Sequence, residues 1–293
     1  METKAAVTQT RELLAHFDPG DLRATAEALQ AVWLQGETYG AEGVTLLKAE
    51  QVEALKASGV KVPVLKAVGK EMGRVARKRV DDFLPLARLL WDEYGREGRI
   101  VASVALGRME LTDPDRVMPV MRELCRRCVA WEDCDQLAMQ GLEPVVRKNP
   151  EVYLARLAAW IADENKWVRR AGVTVVGRLP TKQPAYTAPC LELVERLLFD
   201  EDRDVRRAVS FAIRFAARGA IAPVRDFLAR HVPPENPAAT WVLCDAIHSM
   251  TKKFLPVFAS LLPPYEQWAA DPALSAKDRR SVESAVKTLR QLA

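Results

Sequence analysis

The sequence contains no apolar run long enough to cross a membrane as a helix. The stretch from Ile213 to Val224, for example, is interrupted by Arg214 and Arg218. The first residues, Met1 to Lys4, do not show the charged and then apolar pattern of a secretion signal. We therefore expect a cytoplasmic protein that does not interact with membranes.

Two common kinds of chemical site are also missing. Glycine accounts for only 14 of the 293 residues, and no glycine-rich phosphate loop is present, since Gly69 to Gly73 lies within a helical pattern. The three histidines, His16, His231 and His248, are isolated, and no serine or cysteine stands with a histidine in a recognisable nucleophile arrangement. These absences argue against a P-loop nucleotide-binding protein and against a hydrolase with a serine or cysteine nucleophile.

Cysteine is scarce as well, and the five cysteines do not suggest a disulfide framework. Cys125, Cys128 and Cys134 have a C-x2-C-x5-C spacing that resembles the last three ligands of the iron–sulfur loop in some helix-hairpin-helix DNA glycosylases. The fourth ligand would fall at position 118, which is Met118. Because Cys125 and Cys128 also lie in a helical pattern, we interpret them as small, half-buried side chains. We predict no metal and no organic cofactor.

What the sequence does contain is helix-forming residues in quantity. Most segments are rich in Ala, Leu, Arg and Glu, which favour helices. Asp113-Pro114, Asn149-Pro150 and Asn236-Pro237 each place a capping side chain before a proline, which is a signal for the start of a helix. No alternating apolar pattern is long enough to predict a strand. The fold class that these patterns predict is all-α.

The amino-terminal part of the chain predicts three helices in succession. The first runs from Asp21 to about Leu34, a short one runs from Ala49 to Ala57, and a third begins near Pro63. Tyr39-Gly40 and Gly43 indicate a loop between the first two helices. The third helix carries a series of cations, which are Lys66, Lys70, Arg74 and Arg77.

The second half of the chain contains an internal repeat. Val168-Arg169-Arg170-Ala171 recurs as Val205-Arg206-Arg207-Ala208, and 205 − 168 = 37. Adding the same interval again reaches Val242, and subtracting it from 168 reaches Trp131. A period of this size, made of two helices, is typical of α-solenoids, in which neighbouring repeats share one core. We expect residues 1–293 to form one α-solenoid domain, a curved superhelix whose concave side is lined by the second helix of each pair.

The repeat predicts which side chains lie near that concave side. They are Trp131, Asp135, Arg169, Arg170, Arg206, Arg207 and Arg214. The net charge of +4 is too small to indicate nucleic acid binding by itself. A stripe of guanidinium groups along a groove, however, suits a phosphate backbone, since each can make a two-pronged contact. The alternative is that these arginines lie on solvated faces and bond to Glu164, Asp202 and Asp204, and spacing alone slightly favours it.

Four segments, in this order, carry a more specific pattern. They are Gly59 to Pro63 with Lys66, Trp131 to Asp135, Trp160 to Ala171, and Val205 to Arg214. Together they resemble the AlkD family of DNA alkylation repair glycosylases, which are built from HEAT-like repeats. The third segment is the most specific. The resemblance covers residues 20–230, and residues 231–293 would add further helices or a cap.

The resemblance implies an activity and a set of site residues. The implied enzyme is a glycosylase that excises cationic N3- or N7-alkylated purines, such as 3-methyladenine and 7-methylguanine, from duplex DNA without base flipping. It would act as a monomer, with the nucleoid in the cytoplasm. Trp131 and Asp135 would be the catalytic pair. The DNA and lesion contacts would come from Arg170, Phe211, Arg214, Arg169, Arg207 and Lys66.

The chemistry of such an enzyme suits the catalytic pair. An alkylated purine carries positive charge, and its departure leaves oxocarbenium character on the deoxyribose. Asp135 near C1′ would stabilise that charge and orient water, and the faces of Trp131 and Phe211 would add a cation–π contribution. An indole and a carboxylate four residues apart share one face of a helix.

Two departures from the family pattern leave a second function open. Phe211 falls where the family usually has a tryptophan, and Glu132 replaces the usual aspartate. The residues after about 230 lie beyond the resemblance. The alternative is therefore a HEAT-repeat protein without catalytic activity that binds DNA or serves as a protein scaffold.

Overall fold

A computed structural model describes residues 2–39 and 49–291. Within these ranges the chain is helical, and the only extended pairing is an isolated bridge between Thr38 and Val60. The predicted loop at Gly40 and Gly43 lies outside the described residues. No helix in the described part is long and apolar enough to cross a membrane.

The chain divides into two compact units, Met1–Lys148 and Asn149–Ala293. The first unit contains α1 (Thr3–Ala15), α2 (Leu22–Leu34), α3 (Ala49–Ala54), α4 (Val62–Ala76), α5 (Val80–Glu93), α6 (Gly95–Glu110), α7 (Pro114–Arg126), α8 (Trp131–Gln136) and α9 (Glu143–Lys148), with a π-helical segment, Leu137–Leu142, between α8 and α9. The second unit contains α10 (Pro150–Ile161), α11 (Lys166–Arg178), α12 (Thr187–Glu195), α13 (Arg203–Ala216), α14 (Ile221–Arg230), α15 (Thr240–His248), α16 (Leu262–Ala269) and α17 (Ala276–Arg290). Short 3-10 helices join several of them.

The helices of each unit stack as repeats. In the second unit α11 packs on α13, α13 on α15, and α15 on α17, and these helices begin 37, 37 and 36 residues apart. In the first unit α4 packs on α6, and α6 packs on α8 and the π-helical segment. The predicted all-α, α-solenoid fold class with HEAT-like repeats is therefore confirmed. The prediction that residues 1–293 form one curved domain stays a prediction.

The repeat register needs one correction. Subtracting 37 from Val168 reaches Trp131, which would make these two residues equivalent. However, Trp131 is the first residue of α8, whereas Val168 is the third residue of α11. Counted from the helix starts, Asp133 is the equivalent of Val168. A carboxylate takes this place because it caps the start of α8, which has no capping side chain of its own at Ala130.

Local capping explains where most of the predicted helices begin. Asn165 accepts hydrogen bonds from the backbone N–H groups of Trp167 and Val168, and Asp202 caps α13 in the same way. Asp113 caps α7 as its Asp-Pro pair predicts. Asn149 precedes α10 without a capping bond from its side chain, and Asn236 opens a 3-10 helix rather than an α-helix.

The stacked helices approach closely at small residues. A Cβ atom on Gly69 of α4 would lie 2.7 Å from the carbonyl oxygen of Val101 on α6. A Cβ atom on Gly177 of α11 would collide with Ala212 of α13. Both contacts exclude a larger residue, so these glycines set the spacing between neighbouring repeats.

Candidate functional site

Trp131 and Asp135 are the first and fifth residues of α8, and they therefore share one face of the helix. Both side chains are half-buried. The indole of Trp131 packs against Leu55 and Ala130, while part of the ring stays accessible. The structure thus places the predicted pair on one helix face with access to solvent.

The neighbouring carboxylate, Asp133, is buried and belongs to the framework of the helix. It accepts hydrogen bonds of 3.0 Å from the backbone N–H groups of Val129 and Ala130, and it pairs with the guanidinium of Arg99. Burial raises the pKa of Asp133 above its usual value although these donors act in the opposite direction. Asp133 therefore fixes the start of α8.

Glu132 also has a structural role, because it pairs with an arginine of the preceding repeat. Arg96 of α6 donates two hydrogen bonds to its carboxylate, at 2.9 and 2.8 Å. Burial opposes the charge of Arg96, but Glu132 outweighs it and raises the pKa of the guanidinium. Arg96 also bonds to the carbonyl of Val60 and to Glu97. Of the three acids in this segment, Glu132 and Asp133 hold α8 against α6, and Asp135 is half-buried on the same helix.

Arg169 and Arg170 both connect α11 to the following repeat. Arg170 is buried, and its Nη1 donates a hydrogen bond of 2.6 Å to the carbonyl of Asp204. Arg169 pairs with Asp200 at 2.6 Å and donates to the carbonyls of Asp163 and Glu164. The alternative drawn from the sequence, arginines bonded to nearby acids, describes Arg169, although the acid is Asp200.

Phe211 belongs to a cluster of aromatic and cationic side chains on the second unit. Its ring stacks on that of Phe215, with the centroids 4.1 Å apart. The guanidinium carbons of Arg178 and Arg218 lie 5.4 and 4.0 Å from the Phe215 centroid, and that of Arg214 lies 5.8 Å from the Phe211 centroid. The sequence prediction included Phe211 and Arg214 and missed the other three. The four-residue spacing of the two phenylalanines was the available signal.

Arg214 is held by its own helix. Its Nε donates a hydrogen bond of 3.3 Å to the carbonyl of Ser210. Burial lowers the pKa of this guanidinium, and the charge of Asp245 acts in the opposite direction. The group is partly desolvated, which strengthens its interaction with any anion that reaches it.

A basic groove of about 440 Å³, which we call groove 2, is present on the second unit. Its lining residues are Arg203, Arg206, Arg207, Trp241 and Lys277. Arg206 lies over the indole of Trp241, 5.6 Å from the ring centroid. Among the described residues, none bonds to the charged side-chain groups of Arg203, Arg207 or Lys277. Arg207 was predicted as a DNA contact, and Trp241 and Lys277 were missed because they lie on later helices.

A second basic groove, groove 1, is present on the first unit and measures about 510 Å³. It is lined by Lys70, Glu71, Arg74, Arg77, Arg108, Leu111, Thr112 and Lys148. Arg74 pairs with Glu71 at 2.6 Å, whereas no described residue bonds to the other four cations. Lys66 is on the same helix, α4, but does not line this groove. The regular series of cations along α4 was the sequence signal for this groove. Lys70 and Arg77 of that series line the groove, whereas Lys66, the one predicted as a DNA contact, does not.

The three cysteines noted in the sequence meet in the first unit. The sulfur atoms of Cys125, Cys128 and Cys134 all lie within 4.8 Å of one another. All three cysteines are buried, whereas Cys125 and Cys128 were predicted to be half-buried. Burial acts to raise the pKa of Cys125, but hydrogen bonds from the other two thiols bring it to about 6.

The chain belongs to the family of DNA alkylation repair enzymes, whose family model matches residues 12–250. This confirms the resemblance seen in the four sequence segments. The match includes α8, α11, α13 and α15, and it ends before α16 and α17. No curated protein sequence matches the chain significantly.

Several solved structures are similar in helical architecture. A designed armadillo repeat protein is 14% identical, with 82% of this chain and 98% of that chain covered and a TM-score of 0.33. An engineered protein is 12% identical, with 84% and 100% covered and a TM-score of 0.33. A structure of Kap95p with RanGDP is 12% identical, with 99% and 40% covered and a TM-score of 0.35. These values are too low to indicate a shared function.

Proposed function

We propose that this DNA alkylation repair enzyme is a glycosylase that removes cationic N3- or N7-alkylated purines, such as 3-methyladenine and 7-methylguanine, from duplex DNA. The observation that carries the proposal is the pair on α8. Trp131 and Asp135 share an accessible helix face, while Glu132 and Asp133 anchor that helix. A carboxylate on a fixed support is what electrostatic stabilisation of a transition state requires.

The reaction needs little more than this pair. The bond between C1′ and the purine nitrogen breaks, and its electron pair neutralises the cationic base as it leaves. Water then forms a bond to C1′ and gives up a proton to Asp135 or to solvent. During this step Asp135 and the face of Trp131 stabilise the positive charge on the sugar. Because the base already carries its charge, no acid is needed to protonate it. Because the pair contacts the sugar, the base does not have to flip out of the duplex before the bond breaks.

The two basic grooves support DNA as the ligand. Each contains exposed cations with no bonding partner among the described residues, and such groups are placed to replace the counterions of a phosphate backbone. We propose that grooves 1 and 2 hold the DNA backbone. In the same proposal, the DNA contacts predicted from the sequence are Arg170, Phe211, Arg214, Arg169, Arg207 and Lys66. The enzyme would act as a monomer with the nucleoid in the cytoplasm.

The test is release of 7-methylguanine from duplex DNA by the purified full-length chain, measured under single-turnover conditions. We expect release by the wild type and a rate lower by about 10²–10³-fold for Asp135→Asn. Glu201→Gln, which changes an exposed carboxylate at the turn before α13, is the matched control and should keep the wild-type rate. Absence of release by the wild type, or an unchanged rate for Asp135→Asn, would contradict the proposal.

A second candidate function is DNA binding without catalysis. Phe211 in place of the family tryptophan favours it, as does Lys277, which extends groove 2 beyond the matched residues. Salt-sensitive binding of duplex DNA without base release would support this function. Absence of DNA binding at low salt would instead indicate a protein scaffold.

A further inference from the structure

The three clustered cysteines come from three successive parts of the first unit. Cys125 is on α7, Cys128 follows in the turn, and Cys134 is on α8. All three side chains are buried, and their sulfur atoms lie within 4.8 Å of one another. The other two cysteines, Cys190 and Cys244, are buried without such neighbours in the described part of the chain.

The sulfur positions are close to those that a metal ion needs. Bonds from thiolate sulfur to a metal of this size are about 2.3 Å long, which places three sulfur atoms around one ion about 4 Å apart. The observed separations of up to 4.8 Å require each sulfur to move by less than about 1 Å. Rotation about a single side-chain bond produces movements of this size.

We propose that Cys125, Cys128 and Cys134 bind one thiophilic metal ion in a three-coordinate site. Among the described residues no fourth histidine, cysteine or carboxylate ligand joins the group. Structural zinc sites use four ligands, whereas thiolate donors alone favour soft ions such as Cu(I). Burial of all three sulfur atoms keeps water from serving as the fourth ligand.

The binding step involves no redox chemistry when the ion is supplied as Cu(I). Three sulfur–metal bonds form, and each thiol releases its proton to solvent. The bound ion would connect the end of α7 to α8, the helix that carries Trp131 and Asp135. Its expected effect is therefore on the stability of this pair of helices. The proposal does not depend on glycosylase activity.

The test is titration of the reduced full-length chain with Cu(I) under anaerobic conditions, in competition with a coloured chelator. Titration with Cd²⁺, followed by the ultraviolet charge-transfer absorption of cadmium thiolates, gives an independent readout. We expect one ion per chain for each metal. Cys128→Ala and Cys134→Ala should weaken binding by ~100-fold or more, since even the loss of a residue that supports a ligand costs about 10–100-fold. Cys190→Ala and Cys244→Ala are the matched controls and should bind as the wild type does.

A second measurement guards against variants that do not fold. Circular dichroism should show wild-type helix content for Cys128→Ser, which keeps nearly the same size. The ion should raise the Tm of the wild type by at least ~2 °C and leave that of Cys128→Ser unchanged. Binding of less than one ion per chain, or equal binding by wild type and Cys128→Ala, overturns the proposal. Tighter binding of Zn²⁺ than of Cu(I) would overturn the three-coordinate assignment.

Discussion

The two units build the same helical repeat, but α8 of the first unit fixes its start in a different way from α11 and α13 of the second unit. In the second unit, Asn165 and Asp202 cap α11 and α13 from the residue just before each helix. In the first unit, α8 follows Ala130, which has no polar side chain, and its start depends on Asp133 and on Arg99 from the preceding repeat. A local cap is a short-range device, whereas a buried ion pair couples two repeats.

The same contrast separates the candidate functional residues. The first unit carries the acid and indole of α8 on a helix anchored by buried charges, while the second unit carries the aromatic and cationic cluster around Phe211. Both units have a basic groove with unpaired cations among the described residues. A carboxylate held on a fixed helix can stabilise a positively charged transition state, and accessible cations can bind DNA phosphates. Under the proposed function, the first unit therefore supplies the chemistry and both units supply the contacts to DNA.

The largest expected difference concerns the two kinds of helix start. Asp133→Ala should lower the free energy of unfolding by about 3–5 kcal/mol, because it removes a buried carboxylate that caps α8 and leaves the half-buried Arg99 without its carboxylate partner. Asp202→Ala, the corresponding change in the second unit, should cost only about 1 kcal/mol, the usual value for a lost cap. Urea denaturation of both variants checks the comparison. Equal losses would show that the ion pair has no special role in the first unit.

The grooves allow a test of how evenly the two units bind DNA. Binding of duplex DNA weakens as salt is added, so the slope of log K against log salt is negative. Replacing Arg203, Arg207 and Lys277 of groove 2 with alanine should make this slope shallower by about 3, because each lost phosphate contact removes about 0.9. The same number of changes in groove 1, at Lys70, Arg77 and Arg108, should have the same effect. Fluorescence anisotropy with duplex DNA measures both slopes.

The control for the grooves uses two arginines with ion-pair partners. Arg88 and Arg127 bond to Glu123, so their replacement by alanine should leave the salt slope unchanged. A slope that falls for one groove only would assign DNA binding to a single unit.

A smaller effect is expected from Glu110, a buried acid at the end of α6. Neither of its carboxylate oxygens has a bonding partner in the described ranges, and burial raises its pKa well above the usual value. The folded state therefore holds its proton at pH values where the unfolded state has lost it. Stability should fall as the pH rises above about 4.3, by up to ~1.4 kcal/mol per pH unit, until the pKa of the folded state is reached.

The Glu110→Gln variant separates this effect from other titrations. It should lack this part of the pH dependence, so that its stability relative to the wild type increases from pH 4 towards neutral pH. Glu201→Gln on the second unit is the matched control and should keep the wild-type pH dependence. Denaturation at several pH values measures the difference, and parallel curves for wild type and Glu110→Gln would contradict the assignment.

The smallest expected effect concerns Phe211. A tryptophan face attracts a cation more strongly than a phenylalanine face, by about 0.5 kcal/mol at a half-exposed site. Phe211→Trp should therefore bind duplex DNA containing 7-methylguanine ~2-fold more tightly, and undamaged duplex with unchanged affinity. Competition binding measures the ratio. An equal gain for both duplexes would show that this ring does not contact the cationic base.

The sequence by itself determined the fold class, several of the helix starts and the family. The signals were the helix-forming composition, the 37-residue interval and capping residues such as Asn165 and Asp202. Each of them can be recognised from the order of residues along the chain, without knowing which residues meet in space. The Trp131–Asp135 pair was readable for the same reason, since four residues span one helical turn.

Tertiary structure alone decided what each charged residue does. Glu132, Asp133 and Asp135 look equivalent in the sequence, but Arg96 and Arg99, about one repeat earlier, engage the first two. Trp241 and Lys277 complete a groove with Arg207 from helices much later in the chain. The meeting of three cysteine sulfur atoms likewise depends on how α7 and α8 pack. Partners of this kind are set by the stacking of repeats, which brings together residues that no local pattern connects.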